Sequence, residues 1–156
     1  MNSVVIRAAQ ESDLQTLVRF QQGIVDAERP FDNTLQEGGI RYYDIEELVR
    51  AAHAHFVIAE IDRVPIGCGF VRVEEAKSFV KHLREGYLGL MYVDPAFRGR
   101  GVNALILDAL KEWCRTQGVH ELRLEVYPDN ASALSAYQKA GFSPYMLEMR
   151  MVLKID

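Results

Sequence analysis

Long apolar runs and abundant cysteines are both missing from this 156-residue chain. Its two cysteines, Cys68 and Cys114, lie far apart in apolar surroundings, so we expect buried, reduced thiols and neither a disulfide framework nor a metal site. No run of residues approaches a membrane span, and residues 1–10 lack the basic-then-apolar pattern of a secretory signal. We therefore expect a cytoplasmic protein that binds no metal and no membrane.

An excess of positive charge is also missing. The chain has 18 Lys and Arg against 22 Asp and Glu, a formal net charge of −4, whereas a nucleic-acid-binding protein usually presents a basic face. Internal repeats, low-complexity tracts and linkers are absent from the sequence as well. The expected organisation is a single domain over residues 1–156, with its own core and no nucleic-acid partner.

The chain does contain a regular succession of apolar patterns. Strands are predicted over residues 4–8, 55–61, 64–73, 87–93, 121–126 and 146–155. Helices are predicted from Ser12, from near Asp44, over residues 102–117 and over residues 131–140. This order predicts a mixed α/β domain with a central sheet. A right-handed crossover through the long helix makes the strands at 87–93 and 121–126 parallel neighbours.

Short polar signals mark several element ends. Ser12 with Gln15, and Asp44 with Glu47, have the spacing of a capping box at a helix start. Residues 62–63 form a short hairpin connection between two predicted strands. The charged segment 76–85 is predicted to be either a short helix or a long loop.

A glycine-rich turn, residues 98–103 (RGRGVN), stands between a predicted strand and the start of the long helix. Backbone N–H groups converge where such a turn opens a helix, and the positive end of the helix dipole favours an anion. Arg98 and Arg100 add charge-assisted donors that fit phosphate oxygens. The turn therefore predicts a site for a phosphate-bearing ligand.

Taken alone, the turn is compatible with several kinds of site. Gly99, Gly101 and Ala104 fit the dinucleotide pattern G-x-G-x-x-A. Two features argue against a dinucleotide site. Several residues separate Val93 from Gly99, whereas the dinucleotide-binding fold turns directly after its strand. The chain that follows the turn is also short. A nucleotide-cleaving P-loop would need Gly-Lys-Ser/Thr, which this turn does not contain. A simple loop with solvated arginines is the plainest alternative.

A second series of residues narrows the choice. Asn130, Ala133, Tyr137 and the pair 141–142 follow the spacing N-x-x-A-x-x-x-Y-x-x-x-G-F without a gap. With the earlier turn, this series resembles the GNAT superfamily of N-acetyltransferases. The resemblance is close over about residues 87–144 and is one of element order alone over residues 4–73.

The glycine turn matches most of the family's signature, Arg/Gln-x-x-Gly-x-Gly/Ala. Arg98 and Gly101 stand at two of its positions, whereas Asn103 stands where Gly or Ala is usual. Since asparagine tolerates a helix start, we expect a changed local contact with the pyrophosphate of the ligand and not its loss.

The resemblance implies both a fold and an activity. The fold would be a central, mostly antiparallel, twisted sheet with helices on both faces and one parallel strand pair splayed to hold acetyl-CoA. The activity would be an N-acetyltransferase that passes the acetyl group of acetyl-CoA to a primary amine by direct attack in a ternary complex. The implied cofactor-binding residues are Met91, Tyr92, Val93, Arg98, Gly99, Arg100, Gly101, Val102, Asn103, Ala104, Asn130 and Tyr137.

The resemblance also assigns chemical roles. The backbone N–H of Met91 would stabilise the oxyanion formed at the thioester, and Val93 would pair with the pantetheine arm. Tyr137, a phenol with an ordinary pKa of about 10, would protonate the departing thiolate, whose thiol has a pKa of about 8.5.

The base that accepts the amine proton is not marked by a motif. Glu125, on the predicted strand 121–126 beside the cleft, ranks first, and Asp26, Glu28, Tyr87 and Tyr92 are alternatives. The acceptor amine would meet Glu28, Phe31 and Tyr42, where an acidic and aromatic lining could attract a cation.

Other functions stay open at this point. The chain could be a CoA-binding sensor or regulatory module without turnover, or an acyltransferase that uses another acyl-CoA. The acceptor could be a small amine or a peptide amine. Apolar residues in the segment 146–151 could support a homodimer.

Overall fold

One five-stranded sheet is the centre of the computed structural model, which describes residues 2–155. Its strands are β1 (Val5–Ala8), β2 (Ala54–Ile61), β3 (Val64–Glu75), β4 (Arg84–Val93) and β5 (Leu122–Arg123). They lie in chain order, antiparallel up to β4, and β5 runs parallel to β4. The helices are α1 (Leu14–Glu28), α2 (Ile45–Arg50), α3 (Val102–Thr116) and α4 (Ala131–Lys139). The predicted mixed fold and its single parallel pair are confirmed.

The chain divides into two compact units, Met1–Glu125 and Val126–Asp156. The first unit holds the sheet with α1, α2 and α3, and the second holds α4 and the C-terminal segment. All buried apolar side chains among the described residues belong to the first unit.

Helices cover both faces of the sheet in the first unit. Alternate residues of the strands face α1 and α2, where Leu17, Phe20, Leu48 and Phe70 are among the members of a buried apolar cluster. The opposite face packs against α3, through side chains that include Ile106, close to the glycines of β3. The end of β4, at Val93, is the part of the sheet that leads into the glycine turn.

The start of α1 differs from the prediction. The predicted cap at Ser12 with Gln15 is wrong, because a 3-10 turn at Glu11–Asp13 already leads into α1. The Asp13 carboxylate accepts the N–H of Gln10 over 2.8 Å, and Arg7 of β1 donates two hydrogen bonds to the same carboxylate over 2.8 and 2.9 Å. The start of α1 is therefore fixed by a contact with β1, which the spacing of residues around Ser12 does not reveal.

Other local predictions are confirmed. The Asp44 side chain accepts the N–H of Glu47 over 3.1 Å and caps α2. Asp62 and Arg63 have φ angles of 51° and 67°, as a tight two-residue hairpin between β2 and β3 requires. The segment before β4 is a loop and contains no helix.

Two strand predictions are wrong in extent or in kind. The strand expected at residues 121–126 is paired only at Leu122–Arg123. The segment at residues 146–155 is not a strand, although its residues alternate. A strand needs a neighbour for its N–H and C=O groups, and the described residues of the second unit offer no such ladder. Along residues 2–155, none of the helices is both long enough and apolar enough to cross a membrane.

Candidate active site

A left-handed glycine turn leads from the end of β4 into α3. Gly99 and Gly101 have φ angles of 75° and 78°, in the region that favours glycine. A Cβ at either position would meet no atom within 4 Å, so the space beside the turn is open. No side chain caps the first turn of α3, whose leading N–H groups have no acceptor within the helix. The turn therefore presents backbone donors and the positive helix end to one small space.

A pocket of about 110 Å³ lies at this turn, lined by Val93, Phe97, Arg98, Gly99, Gly101, Val102 and Asn103. Nε of Arg98 donates to the carbonyl oxygen of Val93 over 3.1 Å and so joins the turn to the strand. The guanidinium carbon of Arg100 lies 5.4 Å from the centre of the Phe97 ring, a cation–π contact. Asn103 is half-buried and lines the pocket, so its side chain lies where the sequence predicts a changed contact with an anion.

A β-bulge distorts β4 shortly before its end. The register against β3 shifts between Cys68 and Phe70, and Leu90 adopts a φ of 48°. A leucine in this region is strained by about 1 kcal/mol or more, so the surrounding packing must hold it there. Gly69 of β3 leaves the room, because a Cβ there would come 2.6 Å from Sδ of Met91. The bulge reorients the last residues of β4 relative to the rest of the strand.

Strand β4 is paired with β5 only near its start. Along the rest of β4, that edge has no neighbouring strand within residues 2–155. β5 pairs only with Gly86 and Tyr87. On the other edge, the N–H of Asp94 donates over 2.8 Å to β3. Since successive N–H groups of a strand point to opposite edges, those of Val93 and Met91 point to the edge that β5 leaves. The splayed arrangement expected for this strand pair is therefore present.

Three tyrosines and two carboxylates form a tyrosine–carboxylate cluster in the first unit: Glu28, Tyr42, Tyr43, Tyr87 and Glu125. The hydroxyl oxygens of Tyr43 and Tyr87 lie 3.1 Å apart, within hydrogen-bond distance. The charge of Glu125 acts on both phenols and contributes to raising their pKa. The Tyr42 hydroxyl donates to Oε2 of Glu28 over 3.5 Å, a longer and weaker contact. The cluster draws its members from α1, the α1–α2 loop, β4 and the residues after β5.

Burial sets the protonation of this cluster. It raises the pKa of Glu28, an effect that the hydrogen bond from Tyr42 opposes and that Glu125 reinforces. It raises the pKa of Tyr42 to about 12, with the Glu28 charge adding to it. It raises the pKa of Tyr43 and of Tyr87 as well. All three phenols therefore stay protonated at neutral pH and serve as hydrogen-bond donors.

Gln21 of α1 holds the loop that carries two of these tyrosines. Its side chain is 2% exposed, and its Oε1 accepts the N–H groups of Tyr42 and Tyr43 over 3.2 and 3.1 Å. Sequence reasoning missed this residue. The signal was present, because Gln21 occupies a position on the apolar stripe of α1 between Leu17 and Ile24, where a polar side chain must find a buried partner.

The second unit contains the other two predicted site residues. Oδ1 of Asn130 accepts the N–H of Ala133 over 3.3 Å and caps α4. The Tyr137 ring meets the edge of the Phe142 ring at 5.9 Å between centres, and the Tyr137 carbonyl accepts the Phe142 N–H over 3.0 Å. Gly141 has a φ of 105°, which permits this tight return of the chain. The N-x-x-A-x-x-x-Y-x-x-x-G-F series thus builds a capped and closed helix.

Three further residues that the sequence predicts at the site lie in the first unit, each in different surroundings. Phe31 is half-buried in the 3-10 turn Arg29–Phe31 that follows α1. The Tyr92 ring packs on Phe20 of α1, 4.8 Å between ring centres, so its side chain belongs to the core while its backbone belongs to the end of β4. Asp26, an alternative base, has a side chain that is 78% exposed.

The sequence matches the model of the Acetyltransferase (GNAT) family over residues 21–142. The uncharacterized N-acetyltransferase YobR of Bacillus subtilis is 37% identical over 62 residues, which cover 38% of this chain and 25% of YobR. An aminoglycoside N(6')-acetyltransferase type 1 of Salmonella typhimurium is 29% identical over 102 residues, which cover 64% of this chain and 69% of that enzyme.

A solved structure has the same fold over nearly the whole chain. It is an aminoglycoside N-acetyltransferase, AAC(6')-Iy, in complex with CoA, with a TM-score of 0.74 and 20% identity. The similarity covers 97% of this chain and 100% of that chain. At this identity the likeness concerns the fold of the backbone.

Proposed function

Because the chain belongs to the GNAT family of acetyltransferases, we propose that it transfers the acetyl group of acetyl-CoA to a primary amine by direct attack in a ternary complex. The observation that carries this proposal is the open, left-handed glycine turn at an uncapped helix start, which follows the part of β4 that has no β5 partner. An anion site and an exposed strand edge are what a phosphate-bearing thioester needs.

The residues of the turn suit the pyrophosphate of CoA. The N–H groups of residues 99–104 and the guanidinium groups of Arg98 and Arg100 supply donors, and the open space beside Gly99 and Gly101 leaves room for phosphate oxygens. Asn103 would add a side-chain amide to this set. The CoA-binding relative in the fold comparison supports the same cofactor.

The end of β4 would activate the thioester. The N–H of Met91 would donate to the carbonyl oxygen as it becomes an oxyanion, and the N–H of Val93 would hold the pantetheine arm. The amine nitrogen attacks the carbonyl carbon, the C–N bond forms and the C–S bond breaks. A fixed backbone donor is effective here because it needs no reorganisation as charge develops.

Two proton transfers complete the exchange. Glu125 would accept the proton that the attacking amine loses, and Tyr137 would give a proton to the departing thiolate. No cysteine competes as a nucleophile near the turn, since burial raises the pKa of Cys68 and that of Cys114, the latter to about 11. Direct transfer is therefore favoured over an acetyl-cysteine intermediate.

The acceptor would enter beside α1. Glu28 and the rings of Phe31 and Tyr42 would attract an ammonium group through charge and cation–π contact. The named relatives include an aminoglycoside acetyltransferase, which supports a small-molecule amine; a peptide amine fits the same chemistry. The net charge of −4 supports the absence of a nucleic-acid partner, and two buried thiols support a cytoplasmic location.

The C-terminal segment supports a homodimer. Its odd-numbered residues from 147 to 155 are all apolar, and Met149, Met151 and Ile155 are 84%, 82% and 98% exposed. Such an alternating segment can pair with a sheet edge of a second copy.

Thiol release from acetyl-CoA against a mixed library of amines tests the proposal directly. Turnover with at least one amine, and an added stability of about 2.7 kcal/mol at a hundredfold excess of acetyl-CoA over its Kd, are expected. Comparing acetyl-, propionyl- and succinyl-CoA distinguishes another acyl donor.

A Tyr137→Phe variant separates the enzyme from a CoA-binding module. We expect it to bind CoA normally and to lose thiol release by roughly 10²-fold, because the thiolate then departs unprotonated. Isothermal titration measures the binding and a thiol assay the rate. CoA binding without thiol release by the parent protein, across the whole library and all acyl donors, would favour a sensor.

A further inference from the structure

The loop between α1 and α2 carries two tyrosines of the tyrosine–carboxylate cluster. This α1–α2 loop, residues 32–44, is irregular, and Tyr42 and Tyr43 stand near its end, half-buried. The backbone N–H and C=O groups of an irregular segment must find partners other than a helix or a strand ladder. In this loop several of those partners are side chains of α1 and of the residue that follows it.

Two of these side chains hold the middle of the loop. The guanidinium group of Arg29 donates to the carbonyl oxygens of Gln36 and Gly38 over 2.9 and 2.8 Å. Nε2 of Gln22 donates to the carbonyl oxygen of Ile40 over 2.8 Å. Both bonds join the backbone of the loop to α1 or to its C-terminal end, so the middle of the loop is fixed against that helix.

Gln21 holds the end of the loop from inside the core. Its side chain is 2% exposed, and its Oε1 accepts the N–H groups of Tyr42 and Tyr43 over 3.2 and 3.1 Å. One buried oxygen therefore satisfies two consecutive backbone donors. Without that oxygen both N–H groups would lack an acceptor, which is costly enough that the end of the loop would move out to water.

The two tyrosines reach different elements from this shared anchor. The Tyr42 hydroxyl donates to Oε2 of Glu28 in α1 over 3.5 Å, and the Tyr43 hydroxyl lies 3.1 Å from that of Tyr87 in β4. The Tyr43 ring also meets the Phe70 ring edge-on, with 4.9 Å between the ring centres. The anchor thus sets how the loop faces both α1 and β4.

We propose that Gln21 is a positioning residue for the acceptor amine, because it holds Tyr42 and Tyr43 in place before either substrate binds. This inference rests on the proposed acetyl transfer, in which Glu28 and Tyr42 meet the ammonium group. An amine that binds to a loop already in place does not have to order it, so its apparent affinity is not reduced by a small competent fraction. Gln21 touches no substrate and acts through the two tyrosines.

Gln21→Met tests this role, because it removes the acceptor oxygen and keeps the length and the apolar packing of the side chain. If the loop is then in place in about one molecule in ten, the KM for the amine rises roughly tenfold. The kcat and the KM for acetyl-CoA should stay within about twofold of the parent values, because an amine that has bound has already ordered the loop. The assay uses the amine of the library with the highest turnover.

Further variants separate positioning from a general loss of stability. Gln21→Glu keeps an oxygen for both N–H groups, so it should retain the parent KM for the amine although the buried charge lowers the melting temperature. Gln15→Met makes the methionine exchange at an exposed position of α1 and should change neither quantity. If Gln21→Met does not fold, Gln21→Asn takes its place, since its amide is shorter by one methylene. A KM that follows the melting temperature across these variants would contradict the positioning role.

The outcomes distinguish this inference from the proposed function. An active parent whose KM for the amine is unchanged in Gln21→Met overturns the positioning role and leaves acetyl transfer standing. A parent without turnover overturns the proposed function, and the anchor is then tested without a substrate by hydrogen exchange of the Tyr42 and Tyr43 amides. Their exchange must be roughly tenfold faster in Gln21→Met, with the amides of β3 as the reference, and an unchanged rate rejects the anchor.

Discussion

Gly101 is the single residue on which the opening of α3 depends most directly. Its φ of 78° lies in the left-handed region, where a side chain is strained even though the space around it is empty. Gly101→Ala should therefore lower the free energy of unfolding by about 1–2 kcal/mol and weaken CoA binding. Urea denaturation and isothermal titration measure the two effects.

Gly39→Ala is the matched control for that substitution. Gly39 is also exposed and has open space around it, but its φ is outside the left-handed region. The control should leave both quantities nearly unchanged or raise stability slightly. If the two substitutions had equal effects, the left-handed conformation of Gly101 would not explain the loss of stability and of CoA binding.

Single residues differ in how far the sequence reveals them. Gly99 and Gly101 could be predicted because a glycine turn before a helix has a local signature. Leu90 could not, since its positive φ arises from a bulge that depends on the pairing of β4 with β3. The hydrogen bond between Tyr43 and Tyr87 joins residues that are distant in the chain, so no local spacing reports it.

The joint between β1 and α1 depends on a paired carboxylate. Asp13 is 7% exposed and receives two hydrogen bonds from Arg7, which lower the pKa of its carboxyl group. Because the folded value lies below the unfolded one, the stabilisation is fully present above about pH 5 and is lost as pH falls below about 4, through the folded pKa.

Asp13→Asn should therefore lower the free energy of unfolding by about 1–2 kcal/mol at pH 7, and the difference from the parent should shrink as the pH falls below about 4. Urea denaturation at several pH values measures both effects. Asp26→Asn is the control: its side chain is 78% exposed and lies 3.8 Å from Arg29, so a change below about 0.5 kcal/mol is expected. A difference for Asp13→Asn that does not depend on pH would contradict the role of ionisation.

Elements with strong internal periodicity could be predicted, and those that depend on a neighbour could not. Helix α3 and the β2–β3 hairpin follow from apolar spacing and turn residues alone. Strand β5 is shorter than its apolar pattern because it leaves β4 after Arg123. The segment at 146–155 alternates as a strand does but is not paired with another strand. Pairing depends on a neighbouring strand, so the residues of the segment do not predict it.

At the scale of the whole molecule, the exposed C-terminal segment leads to a prediction about assembly. Met149→Glu with Met151→Glu places charge on the apolar face of residues 147–155 and should convert a dimer into a monomer. Light scattering after size exclusion at about 100 μM measures the mass. Glu148→Gln, on the alternate face, is the control and should leave a dimer. A monomeric parent at this concentration would reject the homodimer.

The strained bulge at Leu90 has a consequence for engineering and evolution. Glycine adopts a φ of 48° without strain, so exchanging Leu90 for glycine would relieve about 1–2 kcal/mol of backbone strain. The same exchange would remove the Leu90 side chain, 4% exposed, from the core that holds the end of β4. Since removing a buried leucine side chain costs about 2–5 kcal/mol, its burial outweighs the strain, and selection for stability retains the strained leucine at this position.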